Sequence, residues 1–321
     1  SITALVFTDY VPVFLLPLFW LFAFIKKQKK DWWKKFILSH LPLALFGGLW
    51  VPIFLVQLER GAWLMQKLPA WSKLAGGATP KQALLVWAKF ILGRISFKDK
   101  VFYYSLIGIS SLPFLYALKK ALKERKKIFI IWGWLLLPLA LTFISSLAFP
   151  AFIYFRFLYI VPAFYLLVAW GVNQIADQKK RIIIGGLLLM VNVVGWLLYV
   201  IEPYQQREQW RQAVSFIESR AQKDKDVVVF ENPQPFAPYQ WYEKGQIDAF
   251  GATNSISADE AETKQKTLSI IDNRQGVYYF EYLHDLSDPD GIVVKTIQGA
   301  GFEKDQIFDF IGVGQVTYWT K

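Results

Sequence analysis

The chain has 321 residues, of which 54% are hydrophobic and 17% aromatic, a composition too apolar for an ordinary soluble domain and indicative of membrane insertion. Its net charge of +11 is unevenly divided: residues 1–202 hold 24 Lys and Arg against 7 Asp and Glu, whereas residues 203–321 hold 12 against 18. Because the basic excess lies in the apolar part and the polar part is acidic, we expect no nucleic-acid partner.

Apolar segments follow one another along residues 1–202, and most approach the ~20 residues that cross the hydrocarbon core of a bilayer. The segments cover residues 2–25, 36–56, 101–118, 128–148, 151–172 and 182–201. We therefore predict a multi-pass α-helical membrane domain with about six transmembrane helices. No basic region precedes the first segment, so it does not read as a signal peptide. Since the chain starts at Ser1 rather than Met, we expect it to continue a longer N-terminal part.

The connecting segments predict the orientation. Dense basic clusters at 26–35, 119–127 and 177–181 alternate with the loop 57–100, the short turn 149–151 and the polar tail. The positive-inside rule places the basic clusters in the cytoplasm. The loop 57–100 and the tail are therefore expected outside a plasma membrane.

The outer loop contains a predicted helix at 79–93. Thr79 stands at its N-cap, Pro80 at its first position, and Gln82 is placed to complete a capping box. Two interpretations remain open. The helix either lies in the membrane interface, with Trp63, Trp71 and Trp87 as anchors, or packs on the helix bundle as an amphipathic connector.

The tail, residues 203–321, has the pattern of one small α/β domain. A helix is predicted at 207–221, where Trp210, Val214 and Ile217 share one face. Strands are expected at 226–231, 246–250, 276–283, 305–311 and 314–321, and further helices at 236–244, 259–271 and 288–299. This alternation predicts a mainly parallel sheet closed by an antiparallel final hairpin through 312–314.

Metal and thiol chemistry find little support in the sequence. The chain has no Cys, and its two histidines, His40 and His284, lack metal-ligand spacing. The segment 287–291, SDPDG, reads as a turn or a helix cap, because it lacks the spaced ligands of a calcium loop. We predict no metal site and no cofactor, while a divalent-metal requirement is left open.

Two charged residues interrupt apolar segments on the predicted outer side. Asp9 lies inside the first segment, and Arg156 lies inside the fifth between Tyr154 and Tyr159. Ionisable groups in membrane segments are functional candidates, although an arginine near the outer end of a helix also reaches the interface for structural reasons. The short preceding turn, the flanking aromatics and a helix kink expected at Pro162 favour an anion site, with a lipid phosphate as the fitting anion.

Three stretches resemble the protein O-mannosyltransferase-like membrane glycosyltransferases of the GT-C fold. They are YFRFLYIVPAFYLLVAWGV (154–172), REQWRQAVSFIESRAQKDKDVVVF (207–230) and QLERGAWLMQKLP (57–69). The first is similar to the aromatic-Arg-aromatic run that leads into a Pro-kinked helix of that family. The second is similar to the entry to its extracytoplasmic C-terminal α/β domain, and the third to its amphipathic outer loop.

The resemblance implies a glycosyltransferase that moves a sugar from a polyprenyl-phosphate-linked donor to an acceptor on the outer face. Arg156, with Tyr154 and Tyr159, would bind the donor phosphate. The family's catalytic carboxylate lies in its first outer loop, expected upstream of Ser1, so this chain is expected to be inactive alone, with Asp9 as a weak catalytic candidate. The alternative is a non-enzymatic membrane protein, such as a transporter subunit or a scaffold for an outer binding domain.

Overall fold

The computed structural model describes residues 2–26, 28–206 and 208–321. The chain forms two compact units, one made of Ser1–Ala62 and Ser72–Gln205, the other of Trp63–Trp71 and Gln206–Lys321. The division falls close to the predicted end of the membrane domain at residue 202. The segment Trp63–Trp71, predicted as part of the outer loop, belongs to the second unit, where the Trp71 indole donates to the Leu286 carbonyl oxygen at 3.2 Å.

Helices make up the first unit. The α-helices are α1 (Ile2–Thr8), α2 (Leu16–Ile25), α3 (Lys30–Ser39), α4 (Leu41–Lys67), α6 (Pro80–Leu92), α7 (Lys100–Lys123), α8 (Phe129–Ser145), α9 (Val161–Asn173) and α10 (Gln178–Ile201), and α5 (Trp71–Ala75) lies where the two units meet in the sequence. Short 3-10 helices span Val11–Leu15, Tyr154–Ile160 and Pro203–Gln205.

Among the described residues, four helical segments are long and apolar enough to cross a membrane: Lys30–Lys67, Lys100–Lys123, Tyr154–Asn173 and Gln178–Ile201. Two shorter apolar helical segments, Val11–Ile25 and Phe129–Ser145, correspond to the first and fourth predicted spans. The structure thus supports membrane association at four segments, and six crossings stay a prediction. The expectation of a loop from residue 57 is wrong at its start, because α4 continues to Lys67.

The first apolar segment is not one continuous helix. α1 ends at Thr8, and the chain resumes as a 3-10 helix at Val11, where Pro12 lies in its first turn. An Asp and a proline so close together favour a new helix start over an uninterrupted span. The break places Asp9 between two helices, a position that hydropathy alone did not predict.

Pro162, where the sequence predicts a kink, lies where the fifth segment changes from a 3-10 helix to an α-helix. It stands in the first turn of α9, where its missing N–H has no helical partner to lose. Residues Tyr154–Ile160 before it form a 3-10 helix, and the connection from α8 runs through residues 146–153 rather than a turn at 149–151. Arg156 therefore lies in a 3-10 segment that precedes α9.

Helix α6 begins as predicted, with the Thr79 hydroxyl oxygen accepting from the Gln82 N–H at 3.2 Å. The capping box is incomplete, because the Gln82 side-chain oxygen is buried with no hydrogen-bond partner among the described residues. The end of the helix, including Phe90, Ile91 and Leu92, is buried, and the Trp87 indole donates to Ser111 in α7 at 2.9 Å. These contacts favour the connector packed on the bundle over the interfacial helix.

The core of the first unit joins α6, α7, α9 and the 3-10 helix Tyr154–Ile160 through Phe114, Phe157 and Phe164. Helices α7 and α9 approach closely at Gly171, where a Cβ atom would lie 1.9 Å from the Ala117 carbonyl oxygen. Small residues permit such approaches between apolar helices in a membrane.

The second unit is an α/β sandwich whose pattern largely matches the prediction. Its strands are β1 (Asp226–Phe230), β2 (Ala249–Gly251), β3 (Gly276–Phe280), β4 (Glu303–Phe310) and β5 (Gly314–Thr320), and its helices are α11 (Trp210–Arg220), α12 (Ala237–Tyr242), α13 (Glu260–Ile271), α14 (His284–Ser287) and α15 (Ile292–Gly299). The sheet order is β2-β1-β3-β5-β4. The predicted helix start at Arg207 lies outside the described residues.

Strands β1, β2 and β3 are parallel, whereas β5 is antiparallel to both β3 and β4. The predicted closing hairpin is confirmed, with Gly312 and Gly314 adopting positive φ angles at its turn. β1 and β3 are buried along their whole length because one face packs on Trp210 and Ile217 and the other on Ile271 and Ile297.

Candidate functional site

Asp9 and Arg156, two charges predicted independently in different apolar segments, meet in the first unit. The Asp9 Oδ2 atom lies 3.9 Å from the Arg156 Nε atom, and the two side chains are 32% and 30% exposed. The other carboxylate oxygen, Oδ1, accepts from the Val11 N–H at 2.9 Å and so fixes the start of the 3-10 helix Val11–Leu15. The structure therefore supplies Arg156 with a protein counter-ion that sequence reasoning did not assign.

The Asp9 carboxylate only partly compensates the Arg156 guanidinium. At 3.9 Å, Nε is beyond hydrogen-bond distance from Oδ2, and this buried atom has no hydrogen-bond partner within the described part of the chain. A guanidinium carries five N–H donors and stays charged in proteins. Since the side chain is partly exposed, the group retains capacity to bind an anionic oxygen.

The two tyrosines predicted beside Arg156 face different neighbours. Tyr159 donates its hydroxyl hydrogen to the Val11 carbonyl oxygen at 3.4 Å, which ties this segment to the one that carries Asp9. Tyr154 lies with its ring centroid 5.9 Å from the Lys89 Nζ atom. Tyr159 therefore belongs to the Asp9 side of the site, and Tyr154 contacts a second cation.

Lys89 is a charged residue beside Tyr154 to which the sequence analysis assigned no role. Its Nζ atom donates to the carbonyl oxygens of Arg94 at 3.0 Å and Ile95 at 2.7 Å, just beyond the end of α6. Burial lowers the pKa of this ammonium to about 8, with smaller effects from Arg94 and Lys100. A lone lysine in the apolar stretch 83–92 was the signal that could have identified it.

An apolar groove opens beside Asp9, between α4 and the segment that contains α1 and the first 3-10 helix. Its volume is about 320 Å³, and nearly all of its exposed lining is apolar. Tyr10, the residue after Asp9, lines it together with Phe7, Trp50 and Phe54. The Tyr10 hydroxyl contacts the Gln57 side chain and accepts from the Trp50 indole at 2.9 Å. The groove is therefore shaped by aromatic contacts within the first unit.

The histidines take structural positions. The His40 Nδ1 atom lies 2.8 Å from the Phe36 carbonyl oxygen, and its ring packs on Trp20 and Phe36. His284 pairs with Asp285, 3.0 Å apart. The predicted cap in 287–291 is confirmed, because the Asp288 carboxylate accepts from the N–H groups of Ile292 and Val293 at the start of α15.

Charge and shape in the first unit thus combine a partly compensated guanidinium, an adjacent carboxylate and an apolar groove. A guanidinium binds phosphate or carboxylate oxygens through parallel hydrogen bonds, and an apolar groove suits a hydrocarbon chain. The arrangement fits an amphiphilic anion better than a small soluble one. No protein-family model matches the chain, and no curated protein or solved structure is significantly similar to it.

Proposed function

We propose that the first unit binds a polyprenyl-phosphate-linked sugar and that the protein acts as a membrane glycosyltransferase on the outer face. In this proposal Arg156 contacts the donor phosphate and the groove lined by Phe7, Trp50 and Phe54 receives isoprenoid carbons. The observation that carries it is the Arg156 guanidinium, held 3.9 Å from Asp9 with its Nε atom unpaired among the described residues. The sugar is proposed because residues 154–172 resemble a stretch of the membrane glycosyltransferases.

A phosphate diester or monoester suits the site for electrostatic reasons. The oxygens of a phosphate accept several hydrogen bonds at once, and the guanidinium can supply them in place of its long contact with Asp9. Two of the three Lys89 N–H donors are already used by backbone carbonyls, so we assign Lys89 to holding the end of α6 rather than to the phosphate. Tyr159 holds the Arg156 segment through its hydrogen bond to the Val11 carbonyl oxygen, and Tyr154 contacts the Lys89 ammonium.

Sugar transfer with inversion also needs a general base that takes a proton from the acceptor hydroxyl. Asp9 is a partly exposed carboxylate at the site, with Oδ1 held by a backbone N–H and Oδ2 directed toward Arg156. We propose Asp9 as the first residue to test for that step, with the acceptor and the sugar still to be identified. The second unit is proposed to lie outside the membrane.

The experiment measures lipid binding to the chain in nanodiscs of neutral phospholipid. The probes are a polyprenyl phosphate and the corresponding polyprenol, which share the tail and differ in charge. Arg156→Gln is expected to weaken phosphate-lipid binding at least about tenfold, since hydrogen bonds to charged groups contribute roughly 1.5–3 kcal/mol. Arg60→Gln, on the exposed side of α4, is the matched control and should bind like the wild type.

Two results would overturn the proposal. The first is equal affinity for polyprenol and polyprenyl phosphate, which would leave the charge without a role. The second is unchanged binding of polyprenyl phosphate by the folded Arg156→Gln variant. The enzymatic part of the proposal is tested by measuring the transfer of a labelled sugar from a polyprenyl-phosphate donor. The assay uses native membranes that contain the whole protein, and it compares Arg156→Gln with Arg60→Gln.

A further inference from the structure

The second unit carries a cluster of acidic residues at one edge of its sheet. β1 and β3 are parallel neighbours in register, with Phe230 opposite Phe280, so the residues that follow them, Glu231 and Glu281, emerge side by side. The chain leaves β1 toward β2 on one side and returns to β3 on the other side of β1. Ligands of open α/β sheets bind at such a switch point, beyond the carboxyl ends of the strands.

Glu231 is the unusual member of this cluster. The residue is 1% exposed, and both of its carboxyl oxygens are buried without a hydrogen-bond partner in the described part of the chain. A buried polar group without a partner costs free energy and calls for a specific explanation. Burial, together with smaller effects of the nearby carboxylates of Asp288, Glu281 and Asp285, raises the pKa of this carboxyl to about 9.

The other acids of the cluster already have partners. The Asp288 carboxylate accepts from two backbone N–H groups of α15, Asp285 pairs with His284, and Glu281 lies 3.9 Å from the Lys304 Nζ atom. Glu231 therefore faces an excess of negative charge with both of its oxygens free. The loop that supplies these acids includes Leu283 at a φ of 62°, an unfavourable angle for a branched side chain.

We propose that this edge of the sheet binds the primary ammonium group of a ligand, with Glu231 as its charged hydrogen-bond acceptor. An ammonium brings the positive charge that the cluster lacks and N–H donors for the unpaired oxygens. A metal ion fits less well, because within residues 2–26, 28–206 and 208–321 no three carboxylate or imidazole side chains have metal-binding geometry. This inference does not depend on the lipid site of the first unit.

Binding exchanges a proton for the ammonium. Without ligand, the Glu231 carboxyl is neutral at pH 7.5, since its pKa lies near 9. When the ammonium binds, the carboxyl ionises, the proton passes to the buffer, and the carboxylate and the ammonium form a neutral pair. Nearly one proton is therefore released for each ligand bound. The carboxyl is closed off from solvent in this conformation, so binding includes a local opening and is expected to be slower than diffusion.

The test uses the full chain in detergent and titrates it with n-butylamine by isothermal calorimetry at pH 7.5. Measurements in two buffers of different ionisation enthalpy give the number of protons released. Neither buffer is a primary amine, because a primary amine would compete with the probe. Tetramethylammonium, which has the charge but no N–H donors, and Ca²⁺ serve as comparison cations. Glu231→Gln keeps the shape of the side chain and removes the ionisable proton, and Glu303→Gln on the exposed part of β4 is the matched control.

We expect n-butylamine to bind with release of nearly one proton, and Glu231→Gln to lose both the proton release and at least about tenfold in affinity. Glu303→Gln should retain both. Should Glu231→Gln fail to fold, Glu281→Gln replaces it and is expected to weaken binding by a smaller factor. Absence of proton release, release that persists without the Glu231 carboxyl, or equal effects of tetramethylammonium or Ca²⁺ would each overturn the assignment.

Discussion

Removal of the Asp9 charge is expected to tighten the binding of a polyprenyl phosphate. Asp9→Asn keeps the side-chain shape and an oxygen for the Val11 N–H, but it frees the Arg156 guanidinium from its counter-ion. At 3.9 Å the two charges attract by about 4 kcal/mol with an effective dielectric constant of about 20. Because both side chains are about one-third exposed, the net interaction is closer to the ~1 kcal/mol upper value of solvent-exposed pairs.

A phosphate that replaces Asp9 as the partner of Arg156 must overcome this interaction. The expected gain for Asp9→Asn is therefore about fivefold in affinity, from about 1 kcal/mol. The assay is displacement of a fluorescent polyprenyl phosphate from nanodiscs, at low and at high salt, because the gain should shrink as salt screens the charges. Glu59→Gln, on the exposed side of α4, removes the same charge away from the pair and controls for net charge.

Unchanged or weaker phosphate-lipid binding by a folded Asp9→Asn variant would refute this reasoning. It would mean that Asp9 holds Arg156 in its binding position instead of competing for it. An equal gain in Glu59→Gln would also refute it, because the effect would then come from the overall charge of the protein. Binding of the uncharged polyprenol should be the same in all three proteins.

Two further predictions concern packing and protonation. Gly171→Ala is expected to lower the free energy of unfolding of the first unit by roughly 1–3 kcal/mol. The new Cβ atom would lie 1.9 Å from the Ala117 oxygen, so α7 and α9 must move apart at this point. Gly186→Ala on α10, where a Cβ atom meets nothing within 4 Å, is the control, and equal melting temperatures in scanning fluorimetry would contradict the proposed helix contact. In the second unit, the pKa of Glu231 is raised from 4.5 unfolded to about 9 folded, so the stability that its protonated form contributes is present below pH 4.5 and is lost as the pH rises through 9. Glu231→Gln should remove this loss of up to about 1.4 kcal/mol per pH unit. The measurement is amide hydrogen exchange in β1 and β3, which should be slower in the variant than in the wild type at pH 8 but not at pH 5. Equal exchange rates of variant and wild type at both pH values would contradict the raised pKa.

The structure of the second unit could be predicted from local patterns to within a few residues. Buried β1 and β3 are short apolar runs bounded by polar residues, and α11 shows its apolar face at helical spacing. The glycines of 312–314 predicted the final hairpin, because a tight turn needs positive φ angles. Such patterns are readable because each depends on neighbours close in the sequence.

The limits of helices in the first unit were harder to predict. Hydropathy identifies an apolar stretch but does not detect where one helix ends and the next begins. Such helix boundaries lie at Asp9 and just before Pro162. Hydropathy also places loop boundaries too early where a helix extends beyond its apolar core, as α4 does. A membrane-facing helix end is decided by capping and packing rather than by composition.

The sequence by itself determined that the chain has an apolar, mainly helical part and an α/β tail, and it singled out Arg156 and Asp9 as charges in apolar segments. Only the tertiary structure decided that these two charges pair, that Lys89 binds carbonyl oxygens, and that Glu231 is buried without a partner. The physical reason is distance along the chain. Apolar periodicity and turn residues act locally, whereas a charge acquires its partner, its burial and its pKa from segments that folding brings beside it.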